Sequence, residues 1–298
     1  MVRDIVLFFS LMLFAIPSTG ASRSEPAVSE VPFSLQNGLV IVEAKIKKDV
    51  SVQVLLATGT EYSLIDPALL QKYELKASYA ADGPVTGRND TTYTFSTVSS
   101  VRVGDSKSRD LNMRFGSMAA VSRMVGQEIF GTLGADFFEG QTVQFDFKNR
   151  VIRFLDKIPT DLIDSKNPGG ATVLRMAPKP SNPFQPTFLV PLVRDVQVNG
   201  QKTNLLINTG IATSVAFSSS TAKKVNLPIA IDGGGREEKI TLRFESLEMT
   251  DVPAWVYAKG TSADQSLSKY GAVAGSLFLQ QFVATFDYRK GVVVLERI

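Results

Sequence analysis

Short apolar runs separated by turn residues make up most of this sequence. Val, Ile, Phe and Thr recur within these runs, and no long stretch keeps apolar residues at helical spacing. Runs of β-branched and aromatic residues between turns are typical of β-strands. The pattern therefore predicts an all-β fold in which helices are few and short.

An apolar strand that ends in a Thr-Gly turn occurs twice in the chain. The sequence VQVLLATGT covers residues 52–60, and TNLLINTGI covers residues 203–211. In both places a second apolar run follows, and after it a short helical stretch, at Pro67–Tyr73 and at Ser219–Val225. Repetition of whole elements in the same order indicates a duplicated structural unit.

A second block closes each half of the chain. TLGADFF covers residues 132–138 and VAGSLFL covers residues 273–279, and each is followed by a strand that contains Phe-Asp. Both halves keep the same spacing between the Gly of the block and the Asp of that strand. Because order, spacing and residue type agree at both blocks, we interpret the chain as a tandem duplication.

The duplicated blocks divide the chain into two lobes, which we predict at residues 31–156 and 188–298. Residues 157–187, between the lobes, are rich in Pro and Gly. Such spacing of Pro and Gly excludes a long helix and favours extended or turn conformations. We therefore predict a linker in this segment.

The N-terminal residues predict export. Arg3 precedes the apolar run Ile5–Ile16, which ends in small residues, so residues 1–21 are typical of a removable signal peptide. The run is shorter than the roughly 20 residues that a helix needs to span a bilayer. An uncleaved interfacial anchor is the alternative. Residues 22–30 are predicted to form a flexible leader.

The composition excludes several kinds of chemistry. The 298 residues include neither Cys nor His, so disulfides, thiolate–metal sites, cysteine nucleophiles and Ser–His–Asp triads are impossible. Acid–base chemistry would depend on carboxylates, Lys or Tyr. The net charge of +3 is small and dispersed, which does not indicate a nucleic-acid partner. We expect no cofactor and no metal.

The absence of Cys also bears on location. An exported protein without disulfides is compatible with a bacterial cell envelope and unusual for a eukaryotic secreted domain. We therefore expect a periplasmic or extracellular protein, of bacterial origin, with no stable membrane span.

The duplicated blocks resemble the signature of the aspartic proteases. In that family a strand ends in two hydrophobic residues and Asp-Thr-Gly once per lobe, and a hydrophobic–hydrophobic–Gly turn closes the lobe. The Leu-Gly-x-x-Phe segment and the Phe-Asp-Phe or Phe-Asp-Tyr strand are most similar to bacterial retropepsin-like domains, fused here in one chain as in pepsin. The resemblance implies two six- or seven-stranded β-barrel lobes, related by a pseudo-twofold axis, with a cleft between them.

The resemblance also implies where a catalytic site would lie. In the family, one Asp from each lobe shares a proton with the other, so that one is the base toward water and the other the acid. Those two positions here hold Ala57 and Asn208, neither of which can deprotonate water. Losing a general base costs on the order of 10²–10⁴-fold in rate. We therefore expect no catalytic residue to be retained.

The positions that would support the missing carboxylates are occupied. Ile211 stands where the family usually has Ser or Ala, while the Thr and Gly residues of both loops match the family pattern. The scaffold positions are Thr58, Gly59, Thr60, Thr209, Gly210, Ile211, Gly134 and Gly275.

Nearby carboxylates could in principle replace the missing pair. Glu61 has no matching acid in the second lobe, where Ala212 stands. Asp66, which precedes Pro67, is typical of a helix N-cap. We interpret three further acids near the closing blocks as structural, namely Asp136, Asp146 and Asp287.

Other residues have simpler interpretations than catalysis. A Ser–Lys pair could be built from Ser218–Ser220 and Lys223 or Lys224, but Ser219 or Ser220 is more simply a helix cap with the lysines in solvent. We expect Trp255 and Tyr257 to pack within the second lobe. Lys45, Lys47 and Lys48 are interpreted as the solvent side of an edge strand, where Lys discourages pairing with other chains. The resemblance implies flaps at residues 81–92 and near 233–235.

We therefore expect an exported, non-catalytic relative of the aspartic proteases, whose cleft binds extended polypeptide by main-chain pairing. An active peptidase with a different pair of carboxylates is one alternative. A structural or oligomerising domain with a filled cleft is another. For a small-ligand or glycan binder the sequence offers no positive feature.

Overall fold

The computed structural model describes residues 30–81, 92–158, 171–178, 188–229, 233–245 and 247–298. The predicted signal peptide, nearly all of the predicted leader and most of the predicted linker lie outside these residues. Most of the first predicted flap, residues 82–91, lies outside them as well.

Twenty strands account for most of the described residues. In the first half they are β1 (Glu30–Pro32), β2 (Ser34–Gln36), β3 (Leu39–Ile46), β4 (Val50–Leu56), β5 (Leu64–Ile65), β6 (Ser78–Ala81), β7 (Thr92–Val103), β8 (Ser106–Phe115), β9 (Gly131–Leu133), β10 (Thr142–Asp146) and β11 (Val151–Leu155). In the second half they are β12 (Thr172–Arg175), β13 (Leu192–Val198), β14 (Gln201–Ile207), β15 (Val215–Phe217), β16 (Gly235–Phe244), β17 (Leu247–Tyr257), β18 (Ala272–Ala274), β19 (Phe282–Asp287) and β20 (Val292–Arg297).

Each half of the chain forms a closed six-stranded β-barrel. In the first lobe the order is β3-β4-β9-β5-β8-β7, and pairing of β7 with β3 closes the ring. In the second lobe the order is β13-β14-β18-β15-β17-β16, closed by β16 and β13. The same strand order in both lobes is what the duplicated blocks predict, and the all-β, two-barrel fold is confirmed.

A third sheet joins the two lobes. Its order is β1-β11-β10-β19-β20-β12, so the Phe-Asp strands β10 and β19 are antiparallel neighbours at its centre. Six fully buried phenylalanines fill the space around this sheet, and burying each contributes about 1.5–3 kcal/mol. They are Phe137, Phe138, Phe145, Phe278, Phe282 and Phe286. Strand β12 lies within the predicted linker and adds to the edge of this sheet.

The helices are short, as predicted. They are a 3₁₀ turn at Pro67–Leu69, α1 (Ala119–Val125), α2 (Ala135–Phe138), α3 (Ser219–Lys224), α4 (Ser262–Leu267) and α5 (Ser276–Leu279). Asp66 caps the 3₁₀ turn by accepting a hydrogen bond from the Ala68 backbone N–H at 3.0 Å, which confirms its predicted role. Within the described residues, no helix has the length and apolar character that a membrane crossing requires.

Two details of the sequence interpretation are wrong. The side chain that caps α3 is that of Ser218, which accepts from the Thr221 N–H, and not that of Ser219 or Ser220. Strand β3, which carries Lys45, is not an edge strand, because it pairs with β2, β4 and β7. The lysines near its end therefore need another explanation.

Candidate functional site

Two equivalent loops meet between the lobes. The first follows β4 and begins at Ala57, whose N–H donates to the Leu133 carbonyl at 3.0 Å. The second follows β14 and begins at Asn208, whose N–H donates to the Ala274 carbonyl at 2.9 Å. In each lobe the loop thus leaves a strand that runs parallel to the short strand of the closing block. The same local sequence produces the same loop twice.

The threonine of each loop forms hydrogen bonds with the backbone of the opposite lobe. The Thr58 hydroxyl donates to the Ile207 carbonyl at 3.2 Å and accepts from the Thr209 N–H at 3.1 Å. The Thr209 hydroxyl donates to the Leu56 carbonyl at 2.7 Å and accepts from the Thr58 N–H at 3.2 Å. Both threonines are fully buried. These four bonds hold the two loops together, and with them the equivalent residues Ala57 and Asn208.

The glycines that follow allow this close approach. A Cβ atom at Gly210 would lie 2.5 Å from the Ala57 Cβ, and one at Gly59 would lie 2.7 Å from the Asn208 Cβ. Contacts that short do not occur between real side chains. Any residue with a side chain would therefore force the loops apart.

The centre of the site holds an amide and a methyl group. The Asn208 Oδ1 atom accepts from the Gly210 N–H at 2.9 Å and from the Gly59 N–H at 3.2 Å. Because Oδ1 is held by two donors, the Nδ2 group points away from these two N–H groups within the amide plane, and it is a donor only. Ala57 and Asn208 are 2% and 5% exposed. Neither side chain can take up a proton near neutral pH.

The closing turns support the loops from below in the same way in both lobes. The Ala135 N–H donates to the Thr60 carbonyl at 2.7 Å, and the Ser276 N–H donates to the Ile211 carbonyl at 2.8 Å. Gly134 and Gly275 immediately precede these donors. All the scaffold residues that the sequence suggested are therefore brought together at the two loops.

Asp136 makes a contact that only the first lobe has. Its Oδ1 accepts from the Ser63 hydroxyl at 2.6 Å, and its Oδ2 accepts from the Ser63 N–H at 2.8 Å. The Ser63 hydroxyl accepts in turn from the Gly134 N–H at 3.0 Å. Burial raises the pKa of Asp136 to about 6, although the hydrogen bonds from Ser63 and Phe137 lower it in part. The role is structural, as the sequence analysis interpreted it.

The raised pKa of Asp136 makes stability depend on pH. The pKa of this carboxyl group is about 6 in the folded chain, compared with an ordinary value of 3.8. Its contribution to stability is therefore fully present below pH 3.8 and is lost as the pH rises through 6. We expect the free energy of unfolding of the native protein, relative to the Asp136→Asn variant, to fall by about 2 kcal/mol between about pH 4 and pH 7. Urea unfolding across this range measures the difference.

The control for this prediction is Asp146→Asn. Although burial opposes it, hydrogen bonds from Asn149 and Arg153 lower the pKa of Asp146, so its contribution is lost as pH falls. The two variants should therefore differ from the native protein with opposite pH slopes. A difference for Asp136→Asn that does not change with pH would contradict the assignment.

A cavity of about 410 Å³ opens beside the two loops. Both lobes contribute to its walls, and Asn208 forms part of its surface. The lining residues are Gly59, Thr60, Glu61, Tyr62, Leu64, Arg114, Leu206, Asn208, Ile211, Ser266, Leu267, Lys269, Tyr270 and Val273. Among the described residues of this lining, Glu61 is the one carboxylate, and its Oε1 accepts from the Phe188 N–H at 3.3 Å.

Tyr288 is a site residue that the sequence analysis missed. Its hydroxyl is buried and donates to the Thr58 carbonyl at 3.0 Å, which ties the first loop to the sheet between the lobes. Burial raises the pKa of this hydroxyl well above its ordinary value. The sequence feature that could have identified Tyr288 is its difference from the first lobe, which has Phe147 at the matching position of the Phe-Asp strand.

The other acids form turns. Asp146 accepts from the N–H and side chain of Asn149, and Asp287 accepts from the N–H groups of Arg289 and Lys290. Each follows a Phe and begins the turn of a hairpin in the sheet between the lobes. Within the described part of the chain, no group of three or more acidic side chains could hold a metal ion.

The expectation that Trp255 and Tyr257 pack within the second lobe is met in part, since Tyr257 packs against the buried cluster that contains Leu206 and Val273. Both are half-buried, while Ala254 and Val256, which alternate with them along β17, are buried in the barrel. The two rings contact each other edge to face with centroids 6.3 Å apart. They line a groove of about 1090 Å³ on the second lobe that also contains Leu277. The outer face of β17 is therefore aromatic.

No protein-family model matches the chain, and no curated protein sequence matches it. The interpretation of the site consequently depends on its residues and their geometry.

Proposed function

We propose that this chain is an exported, non-catalytic member of the retropepsin-like aspartic protease group, and that its interlobe cleft binds extended polypeptide without cleaving it. One observation carries the proposal. Where a proton-sharing pair of carboxylates would have to lie, the two equivalent loop positions hold Asn208 and Ala57, while the threonine bonds between the loops are complete. The scaffold is maintained although its usual chemistry is absent.

The cavity beside Asn208 has the features that suit a peptide main chain. The Asn208 Nδ2 group and the Lys269 ammonium group are donors, and peptide carbonyl groups are acceptors at regular intervals. Leu64 and Ile211 offer apolar surface for side chains on either side of the loops. An open volume of about 410 Å³ also favours binding over a purely structural role with a filled cleft.

An unusual catalytic pair finds less support. Glu61 is the one carboxylate among the described residues that line the cavity, and it already accepts a hydrogen bond from the Phe188 backbone. A pair mechanism needs two carboxylates in contact, since their mutual repulsion is what keeps one protonated. The geometry therefore favours binding over hydrolysis.

The binding proposal can be tested with a fluorescein-labelled pool of β-casein peptides. We expect the native protein to raise the fluorescence polarisation of the pool, because the cleft immobilises the peptides. Ile211→Trp, which fills the cavity, should weaken binding by about tenfold or more. Val50→Trp adds a similar side chain at an exposed position of β4 and should leave binding unchanged. Equal binding by the Ile211→Trp variant would exclude this cavity as the site.

A further inference from the structure

Three cationic side chains lie next to one another on neighbouring strands of the first barrel. Lys45 on β3 is paired with Arg102 on β7, and Arg102 is paired with Lys107 on β8. Directly paired residues of adjacent strands place their side chains on the same face of the sheet, with Cβ atoms about 4.5–5.5 Å apart. Like charges at that distance destabilise a sheet. We call these three residues the cationic row.

The equivalent positions of the second lobe do not hold three cations. There Gln197 on β13 is paired with Arg243 on β16, and Arg243 is paired with Glu248 on β17. Arg243 is the one cation of these three residues, and its cross-strand partner carries the opposite charge, with the Arg243 Nε 3.8 Å from the Glu248 Oε2. The barrel architecture therefore does not require three cations at these positions.

The cationic row also has no protective role at a sheet edge. At Lys45, strand β3 pairs with β4 on one side and with β7 on the other, and β7 lies between β3 and β8 at this point. Lysines on an exposed edge strand prevent pairing with other chains, and this role does not apply to the cationic row. Neighbouring like charges that the fold does not require are typical of a functional site.

The row borders a concave site at the end of the barrel. A depression of about 420 Å³ is lined by Lys45, Lys47, Lys48, Asp49, Ser100, Arg102 and Lys107. The Lys47 N–H donates to the Ser100 carbonyl at 2.9 Å, which fixes the β3–β4 turn against β7. Among the described residues, the lining thus combines five cations with a single carboxylate around this turn.

Ion pairs at the rim leave the depression cationic. Asp49 lies 2.9 Å from Arg102, Glu74 lies 3.4 Å from Lys47, and Glu43 lies 3.3 Å from Lys45. The Asp49 and Glu74 side chains are 77% and 89% exposed. Exposed pairs of this kind contribute little to stability, so a ligand with a higher charge density can displace them.

We propose that this depression binds a compact, multiply charged oxyanion, such as a diphosphate group. Phosphate oxygens accept charge-assisted hydrogen bonds from several Lys and Arg donors at once, and these are about twice as strong as neutral ones. The site lies on the first lobe alone and does not depend on the function proposed for the cleft. The same group could belong to a soluble molecule or to a lipid head group.

Two titrations at low ionic strength test this site. Calorimetry with sodium pyrophosphate measures binding of the soluble anion, and sedimentation with vesicles compares pure phosphatidylcholine with an equimolar mixture of phosphatidylcholine and phosphatidic acid. We expect pyrophosphate to bind, and binding to weaken as salt is added. Binding to acidic vesicles but not to pyrophosphate would assign the site to a lipid head group. Binding to neither would overturn the proposal.

The lobe duplication supplies matched variants. Lys107→Glu recreates the arrangement of Arg243 and Glu248, so it should fold well while weakening pyrophosphate binding by about tenfold or more. Lys202→Glu makes the same charge change on an exposed lysine of the β13–β14 hairpin in the second lobe, and should have little effect. If Lys202→Glu weakens binding as much as Lys107→Glu does, general charge attraction explains the binding and the site is disproved.

Discussion

A double variant with Ala57→Asp and Asn208→Asp is expected to cleave unfolded casein at acidic pH. The Gly59 and Gly210 N–H groups that now donate to Asn208 would donate to the new carboxylate, and the threonine bonds would hold the second carboxylate against it. Two carboxylates in contact share one proton, which creates a base and an acid. Activity should therefore fall as the pH rises and both groups ionise. Release of acid-soluble peptides measures the gain.

The single variants are the controls for this gain. Each places one carboxylate opposite an amide or a methyl group, so each should be at least about 100-fold less active than the double variant. A transition-state-mimicking inhibitor of aspartic proteases should abolish the new activity. A folded double variant that cleaves nothing would contradict the view that the cleft is open and the scaffold intact.

Thr209→Val should be strongly destabilising. The Thr209 hydroxyl donates to the Leu56 carbonyl and accepts from the Thr58 N–H, and both bonds cross the boundary between the lobes. Valine has the same shape but leaves both of these buried groups unpaired. An unpaired buried backbone group costs about 1–3 kcal/mol, so we expect the free energy of unfolding to fall by roughly 3–5 kcal/mol. Urea unfolding monitored by circular dichroism measures this change.

The matched control for Thr209→Val is Thr97→Val. The Thr97 hydroxyl donates to the Asn112 side chain at 2.7 Å on the exposed face of β7, where water can replace the bond. Its loss should change the free energy of unfolding by less than about 0.5 kcal/mol. Equal effects of the two substitutions would show that the bonds between the loops do not hold the lobes together.

The fold could be predicted to a large extent from the sequence because the chain repeats its own pattern. A single apolar run such as Val52–Leu56 is ambiguous, but two copies with the same turn and the same closing block specify strands in a fixed order. The sheet between the lobes was not predicted. It requires β10 to pair with β19, and pairing between segments so far apart in sequence depends on the packing of both lobes.

The loop residues of the candidate site could be predicted because Thr58-Gly59 and Thr209-Gly210 are contiguous motifs. The residues that the analysis missed act through cross-strand or long-range contacts that no local pattern records. The bond from Tyr288 to Thr58 and the alignment of Arg102 with Lys107 both depend on strand register. The outward position of Trp255 depends on which face of β17 is turned to the barrel interior.

We propose that the native cleft binds peptide without hydrolysing it. Unfolded casein incubated with an equimolar amount of the native protein from about pH 3 to pH 7, followed by mass spectrometry of all peptide ends, tests this directly. We predict that no new ends are produced at any pH. New ends whose formation is blocked by a transition-state-mimicking aspartic protease inhibitor, and lost in the Glu61→Gln variant, would contradict the claim.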